Sequence, residues 1–324
     1  MGGSRTDAPA VSVVIPTHGR AARLERQLAA LRGQTLPREQ WELVVVDDGS
    51  PDATPDVLRD EERRGELPLR VIRHGRPHGP AIARNAGWRA TSAPLVAFTD
   101  DDCEAQPGWL ESLLAAYAGD DGRLIQGRTS PISRELPLGP FAYSIEVDEV
   151  SAESQTCNIA YPRVVLERLG GFDETFAGPQ GEDVDLGWRA RAGGVTPVFA
   201  PRAHVQHAVM ELGPAETLRR AWRWSPAMRP FADHAALRRE RLHKGLFWNW
   251  THYLLLRAVL ALPLLRRRAT WPVAAWLGGR LVAYEVGKGR AQGRRSLALF
   301  WLVHDVVETA AVLRGALRYR TLVI

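Results

Sequence analysis

The sequence predicts an α/β sandwich on a mostly parallel central sheet, followed by a helical C-terminal extension. Three observations carry this expectation. Apolar strand-like runs alternate with helical periodicities over the first two thirds, the run Leu95-Val96-Ala97-Phe98 ends abruptly at Asp100-Asp101-Asp102, and the charge changes sign along the chain. Strands alternating with helices specify crossover units and parallel pairing. An apolar run bounded by Pro94 and a polar cluster is the pattern of a strand buried on both faces.

Val11–Pro16 reads as the first strand, and the helix from Arg20 to Arg32 sets Leu24, Leu28 and Leu31 on one face. Glu42–Val46 is the second strand, followed by Asp47-Asp48-Gly49-Ser50 and a helix to about Arg64. Leu69–Ile72 is a third strand, Ala81–Ala90 a helix, and Pro107–Tyr117 the helix after the acidic trio. Arg123–Gly127 resumes the sheet. Residues 128–156, with Pro131, Pro137, Gly139 and Pro140, read as an irregular loop, and loops that long in compact domains usually carry function. Pro162–Leu169 is a short helix stopped by Gly170-Gly171, Gly181–Leu186 opens a helix ending at Gly193-Gly194, and Val195–Phe199 is the last strand.

A chain of 324 residues is long for one core, which predicts a catalytic domain over 8–212 and a basic helical region over 213–324. From Leu218 onward there are 20 Lys+Arg against 5 Asp+Glu, whereas the preceding part holds 22 against 32. An acidic body with a basic tail suggests a tail that meets an anionic surface. No recognition module or stacking platform is legible, which argues against nucleic acid. Cys103 and Cys157 form neither a CxxC nor a metal spacing, so no disulfide framework is implied and a reducing compartment is expected. The first ten residues lack an apolar signal core. The expectation is a cytoplasmic protein, peripheral at the inner face of the cell membrane.

Thr17-His18-Gly19-Arg20, Asp47–Ser50, Asp100–Asp102 and later His204 and His207 all follow predicted strands. In a parallel sheet such ends share one edge, where ligands bind. Three carboxylates crowded there repel one another, and a hard divalent cation carrying an anionic ligand would neutralise them. The plainer alternative is an acidic start to the next helix. Arg84, one turn inside its helix, suits anion recognition.

The segments VSVVIPTHGR, VVVDDGSPDAT, HGPAIARNAGWRA, LVAFTDDDCE, TCNIAYPRVVLERLGGFDETF and GEDVDLGWRARAGG stand in the order seen in family-2 glycosyltransferases of the GT-A fold, and the chain resembles that family over about residues 10–210. The resemblance implies a GT-A αβα sandwich and an inverting sugar transfer from a nucleotide-sugar. It implies that Asp48 reads the base, with Pro16 and Thr17 lining the pocket, Arg84 nearby and Asp101 beside the donor or supporting its neighbours. It implies Asp100 and Asp102 as the pair holding Mn²⁺ or Mg²⁺ on the diphosphate, His207 as a third metal ligand, and Asp183 as catalytic base. UDP or dTDP is expected, because one carboxylate accepts the N3 proton of either uracil or thymine.

Elementary chemistry agrees with these roles. A leaving diphosphate gains negative charge that a cation offsets, and an acceptor hydroxyl needs a base within reach. A base opposite the leaving group inverts the anomeric carbon, as in inverting glycosidases. Glu182 and Asp183 compete for that role, since helical neighbours point in different directions. Both Glu182 and Asp185 also suit a helix N-terminus. His204 and His207 compete as ligands. Asp47 reads as structural, Cys103 as a small core residue, Trp88, Trp109 and Trp188 as packing, and His18 has no assigned role.

Trp222-Arg223-Trp224 offers rings that stack on an acceptor or simply pack. Leu246–Leu265 and Leu297–Leu313 are too interrupted by polar residues to span a bilayer and resemble interfacial amphipathic helices. Trp248, Trp250, Tyr253 and Trp301 are boundary-type residues, and Arg266-Arg267-Arg268 with Arg290, Arg294 and Arg295 suit anionic head groups. The acceptor expected from the tail is a lipid-linked or cell-surface glycan of wall or polysaccharide synthesis; a natural-product acceptor is the alternative. Two rivals are a non-catalytic nucleotide-sugar-binding or scaffold protein and a nucleotidyltransferase.

Overall fold

A computed structural model describes residues 8–136, 139–176, 178, 180–261, 271–278 and 297–324. The chain divides into two compact units, one running through Arg134 and from Ser144 to Ala208, the other comprising Glu135–Tyr143 and Val209–Ile324.

The first unit is an αβα sandwich. Its strands are β1 (Val11–Thr17), β2 (Trp41–Asp47), β3 (Leu69–Arg73), β4 (Leu95–Thr99), β5 (Cys103–Ala105), β6 (Arg123–Pro131), β8 (Asn158–Pro162) and β9 (Thr196–His207), with β7 (Ala142–Tyr143) in the other unit. They form one sheet in the order β3-β2-β1-β4-β8-β6-β9-β5. β3, β2, β1 and β4 are parallel, as are β6 and β9, while β8 and β5 run antiparallel to their neighbours. Period-2 alternation sorts the side chains between the two faces. Val13, Ile15, Val45 and Ala97 meet Leu24, Leu28 and Leu31 of α1 (Ala21–Arg32) and Trp109 and Leu113 of α4 (Trp109–Tyr117). Val14, Val96, Phe98 and Tyr161 meet Trp88 of α3 (Pro80–Arg89), Leu166 of α5 (Arg163–Leu169) and Leu186 of α6 (Glu182–Ala192). The helix after β2 is α2 (Thr54–Arg64).

Three elements differ from the sequence reading. β8 was not expected: Asn158–Pro162 contains only three apolar residues before a proline, yet it is fully buried as a central strand. β6 continues past Gly127 to Pro131, so the loop after it is shorter than 128–156. β9 extends to His207 despite Pro197 and Pro201, so His204 and His207 lie within the strand and not beyond it. The β6–β9 register slips after Gly127, where Gly127 pairs with Ala200 and Arg128 with His204. Gly127 admits no side chain: a Cβ would lie 2.3 Å from the Ala203 carbonyl oxygen and 2.4 Å from Asn158 Nδ2. That amide donates to the Arg128 and Ala203 carbonyls, and Trp109 Nε1 donates to Asn158 Oδ1. Gly127→Ala is therefore expected to destabilise by about 2–3 kcal/mol, since backbone is what must move; urea unfolding checks it.

The second unit pairs β7 with β10 (Met210–Glu211) and adds helices α7 (Pro214–Trp222), α8 (Arg229–Asp233), α9 (Ala235–Arg241), α10 (Trp250–Ala261), a short helix over 271–278, and α11 (Ala298–Tyr319). Trp248 packs on Trp224 and Phe231 with ring centroids 5.3 and 5.7 Å apart, so Trp224 is a packing residue. Among the described residues, no helix is long and apolar enough to cross a membrane. Arg266–Arg268, Arg290, Arg294 and Arg295 lie outside the described residues, as does the end of the expected Leu246–Leu265 helix.

Candidate active site

The strand ends assemble a polar edge. Asp48 follows β2, and its amide donates to the Thr17 carbonyl at the end of β1. The Asp48 carboxylate accepts from the amides of His78 and Gly79 at 2.9 and 2.8 Å and lies 2.7 Å from His74 Nδ1. Gly49 makes this possible: at φ +72 a Cβ would meet the backbone of Arg76 at 2.6 Å, so only glycine lets the 74–79 segment fold over Asp48. His18 Nδ1 sits 2.9 Å from the Asp48 carbonyl. Asp47 ties the turn, accepting from the Ser50 amide and lying 3.4 Å from Arg73 Nε.

After β4, the three aspartates take different partners. Asp100 meets Arg84 Nη2 at 2.9 Å. Asp101 is buried, accepts from the Thr17 hydroxyl at 2.7 Å and meets Arg20 Nη1 at 3.1 Å. Asp102 also meets Arg20 Nη1, at 2.7 Å. Burial, reinforced by Asp102 and Asp100, pushes the Asp101 carboxyl up to about 6 against the opposing pull of Arg20 and Thr17. Burial works against the Arg20 charge, but Asp101 and Asp102 more than offset it and raise its pKa. The sequence places Arg20 in the polar group at the end of β1 without a role of its own; the structure makes it the shared partner of Asp101 and Asp102.

The β5–β9 register brings Asp102 to His207. Cys103 pairs with His207, and the Ala208 amide donates to the Asp102 carbonyl at 2.8 Å. Asp102 Oδ1 then lies 3.5 Å from His207 Nε2 and has no hydrogen-bond partner although it is buried. His207 Nδ1 is 2.8 Å from the Ala208 carbonyl oxygen and is also approached by Ser144 Oγ at 3.3 Å and the Ile145 amide at 3.5 Å, while Nε2 faces Asp102. An orphaned carboxylate oxygen beside an imidazole nitrogen is a pairing that suits a divalent cation. Asp100 does not join them: among the described residues, the one group of three His/Asp/Glu ligand atoms within 4.8 Å is His252, Asp305 and Glu308 in the other unit. His204, three residues before His207, projects from the opposite face of the strand and meets Ser130 Oγ at 2.8 Å. Burial and then Arg128 lower its pKa.

Arg84 closes the edge. Buried, it meets Asp100 with one arm and Glu182 Oε1 with the other at 3.0 Å, which joins the end of β4 to the start of α6. Burial opposes the Arg84 charge, yet Asp100 and Glu182 raise its pKa overall. Glu182 is thereby committed to an ion pair. Asp183 accepts only from the Val184 amide at 2.8 Å among its recorded bonds, and the residue is half-buried. Burial of its carboxyl and the Glu182 charge raise its pKa well above the usual carboxylate range. Such a carboxylate, once ionised, is a stronger base than a solvated one. Pro16 is half-buried one residue before Thr17, on the same edge.

Residues 12–162 match a family profile described as glycosyl transferase family 2. Over 230 residues the chain is 35% identical to validoxylamine A glucosyltransferase of Streptomyces hygroscopicus, covering 60% of this chain and 54% of that one. It is 35% identical over 214 residues to pre-mycofactocin glycosyltransferase of Mycobacterium tuberculosis, covering 61% of this chain and 42% of that one. The chain thus spans about half the length of these curated relatives. The fold also matches mannosyltransferase PcManGT of Pyrobaculum calidifontis, solved with GDP-Man and Mn²⁺, at TM-score 0.55 and 22% identity over 97% of this chain and 87% of that one. Five of the six motifs overlap the stretch that this profile matches, which is just under half of the chain, and over that stretch the chain is similar to glycosyl transferase family 2.

Proposed function

We propose that the protein is an inverting, metal-dependent glycosyltransferase that moves a sugar from a UDP- or dTDP-sugar to a hydroxyl acceptor. One observation carries the reading: Arg84 ties Asp100 to Glu182, so Asp183 opens α6 on the edge that bears the acidic trio. Asp102 and His207, with Asp100 as the expected third ligand, would hold Mn²⁺ or Mg²⁺. When bound, the ion supplies Lewis-acid stabilisation of the leaving diphosphate. The Mn²⁺ in the PcManGT structure supports this choice of cation.

Asp183 accepts the proton of the acceptor hydroxyl as its oxygen bonds to the anomeric carbon and the carbon–phosphate-oxygen bond breaks. Attack from the face opposite the leaving group inverts that carbon. Asp48, between Pro16–Thr17 and the 74–79 segment, accepts the base's N3 proton, while Asp101 anchors Arg20 and Thr17 below the donor. Asp183 argues against a pure binding module, which needs no base. A nucleotidyltransferase would consume a nucleoside triphosphate, and no triphosphate turnover is expected here.

The acceptor in this reading is a lipid-linked or cell-surface glycan, inferred from the basic tail. The second reading, a small natural-product acceptor, is favoured by the name of the validoxylamine A relative.

A thermal-shift panel with Mn²⁺ and UDP, dTDP, GDP or CMP tests the donor assignment. A ligand bound only by the folded state at a hundredfold its Kd adds about 2.7 kcal/mol. UDP or dTDP is expected to raise the melting temperature only in the presence of the metal. Guanine also presents N–H donors to a carboxylate, so a response to GDP alone overturns the pyrimidine assignment.

A further inference from the structure

The last helix is amphipathic in the wrong sense for a helix bathed in water. Its buried side carries acids: Asp305 is 0% and Glu308 8% exposed. Thr251 Oγ1 and Trp276 Nε1 donate to the two oxygens of Asp305 at 3.3 and 3.4 Å. Glu308 Oε2 lies 3.1 Å from His252 Nε2 and accepts from Asn249 Nδ2 at 3.2 Å. Two turns on from Glu308, Gly315 lies against Ser225, whose carbonyl oxygen a Cβ would meet at 2.2 Å. The opposite side carries Leu299, Val303, Val306, Leu313 and Leu317, at spacings that keep one face of an α-helix. Leu299 is 71% exposed and Leu317 81%. An ordinary surface helix turns its apolar stripe inward and its charges out.

This inversion belongs to a wider asymmetry. Of fourteen exposed large hydrophobic residues among those described, only Val164 lies in the first unit. Concentrated apolar exposure marks an interaction surface. Charge selects the occupant. The chain from Leu218 onward carries 20 Lys+Arg against 5 Asp+Glu. Arg314, Arg318 and Arg320 stand beside the stripe, with the Arg314 guanidinium 5.4 Å from the ring of exposed Trp222 and that of Arg318 5.3 Å from Tyr319. Two copies of a face bordered by these three arginines repel, whereas anionic head groups attract it, and aromatic rings beside arginines suit the polar–apolar boundary. The helix is not apolar enough to cross the bilayer.

We propose that the Leu299–Leu317 face of α11 is a docking surface for an anionic lipid bilayer, with the helix lying in the plane of the interface and its arginines among the head groups. The inference rests on the membrane-side acceptor above only for its biological sense; its test reads lipid binding without sugar transfer, so either can fail alone.

The test is co-sedimentation of the full chain with phosphatidylcholine vesicles containing or lacking about a third phosphatidylglycerol. Wild type is expected to pellet with the anionic vesicles, less so at high salt. The double variant Leu313→Glu/Leu317→Glu is expected to weaken partitioning about a hundredfold while keeping the wild-type melting temperature, because both side chains face outward. Leu299→Glu, at the other end of the stripe, repeats the test away from the arginines. Wild-type pelleting by the folded variants, or no wild-type pelleting at low salt, overturns the proposal. So does light scattering that shows a wild-type dimer which the substitutions dissociate, since the occupant would then be a second copy.

Discussion

Asp183→Asn is expected to lower kcat about 10²–10⁴-fold while leaving nucleotide binding nearly unchanged. Asparagine keeps the shape and the oxygen that accepts from the Val184 amide, so the start of α6 is preserved. Only the basicity is lost, and a loss confined to the transition state appears in kcat, not in donor affinity. The pH profile gives a second signature. Burial and Glu182 raise the Asp183 pKa, so the acid limb of kcat/KM should fall above the ordinary carboxylate range and vanish from the residual rate of the variant. The sign for stability is opposite. A carboxyl whose folded pKa is raised favours the folded state while protonated and disfavours it as pH climbs through that value. At neutral pH Asp183→Asn should therefore be more stable than wild type while turning over far less, the usual relation at a strained catalytic group. Steady-state kinetics with calorimetry on the same preparation decide it. Unchanged turnover removes Asp183 from the base role.

The strand–helix alternation of the first unit was legible because each strand through β4 is a short, bounded apolar run. β8 was not, since Ile159-Ala160-Tyr161 is a run of only three apolar residues before a proline, and its burial depends on β4 and β6, which lie far away in sequence. β9 runs on past Phe199 although Pro201 breaks an apolar pattern, because the β6–β9 register slip between Ala200 and His204 accommodates that proline. The site divides in the same way. Asp100 to Asp102 stand out as an acidic run, but their separation into a pair with Arg84, a pair with Arg20 and an approach to His207 depends on registers that no local pattern encodes. The sequence leaves Glu182 as either a rival base or a helix-start charge, and only the tertiary fold reveals it as the partner of Arg84. His204 and His207 were separable in principle, because three residues apart on one strand means opposite faces, had β9 been read to its end.

Arg84→Met should be the most destabilising single change in the first unit, at about 3–5 kcal/mol. Methionine fills much of the same volume and leaves Asp100 and Glu182 without their shared cation. Glu182 is 3% exposed, and its Oε2 has no hydrogen-bond partner even in the wild type, so the loss of Arg84 strands a buried charge. Burial already raises the Glu182 pKa while Arg84 lowers it, so deleting Arg84 raises it further. A group with a raised folded pKa contributes stability that is present at low pH and lost as pH rises through that value. The deficit of Arg84→Met should accordingly be smaller at pH 5 than at pH 8. Adding Glu182→Gln to Arg84→Met should recover part of it, because a neutral amide replaces the stranded carboxylate. Urea unfolding of the three variants at both pH values separates this electrostatic cause from a simple packing defect. A packing defect gives a deficit independent of pH and no recovery in the double variant.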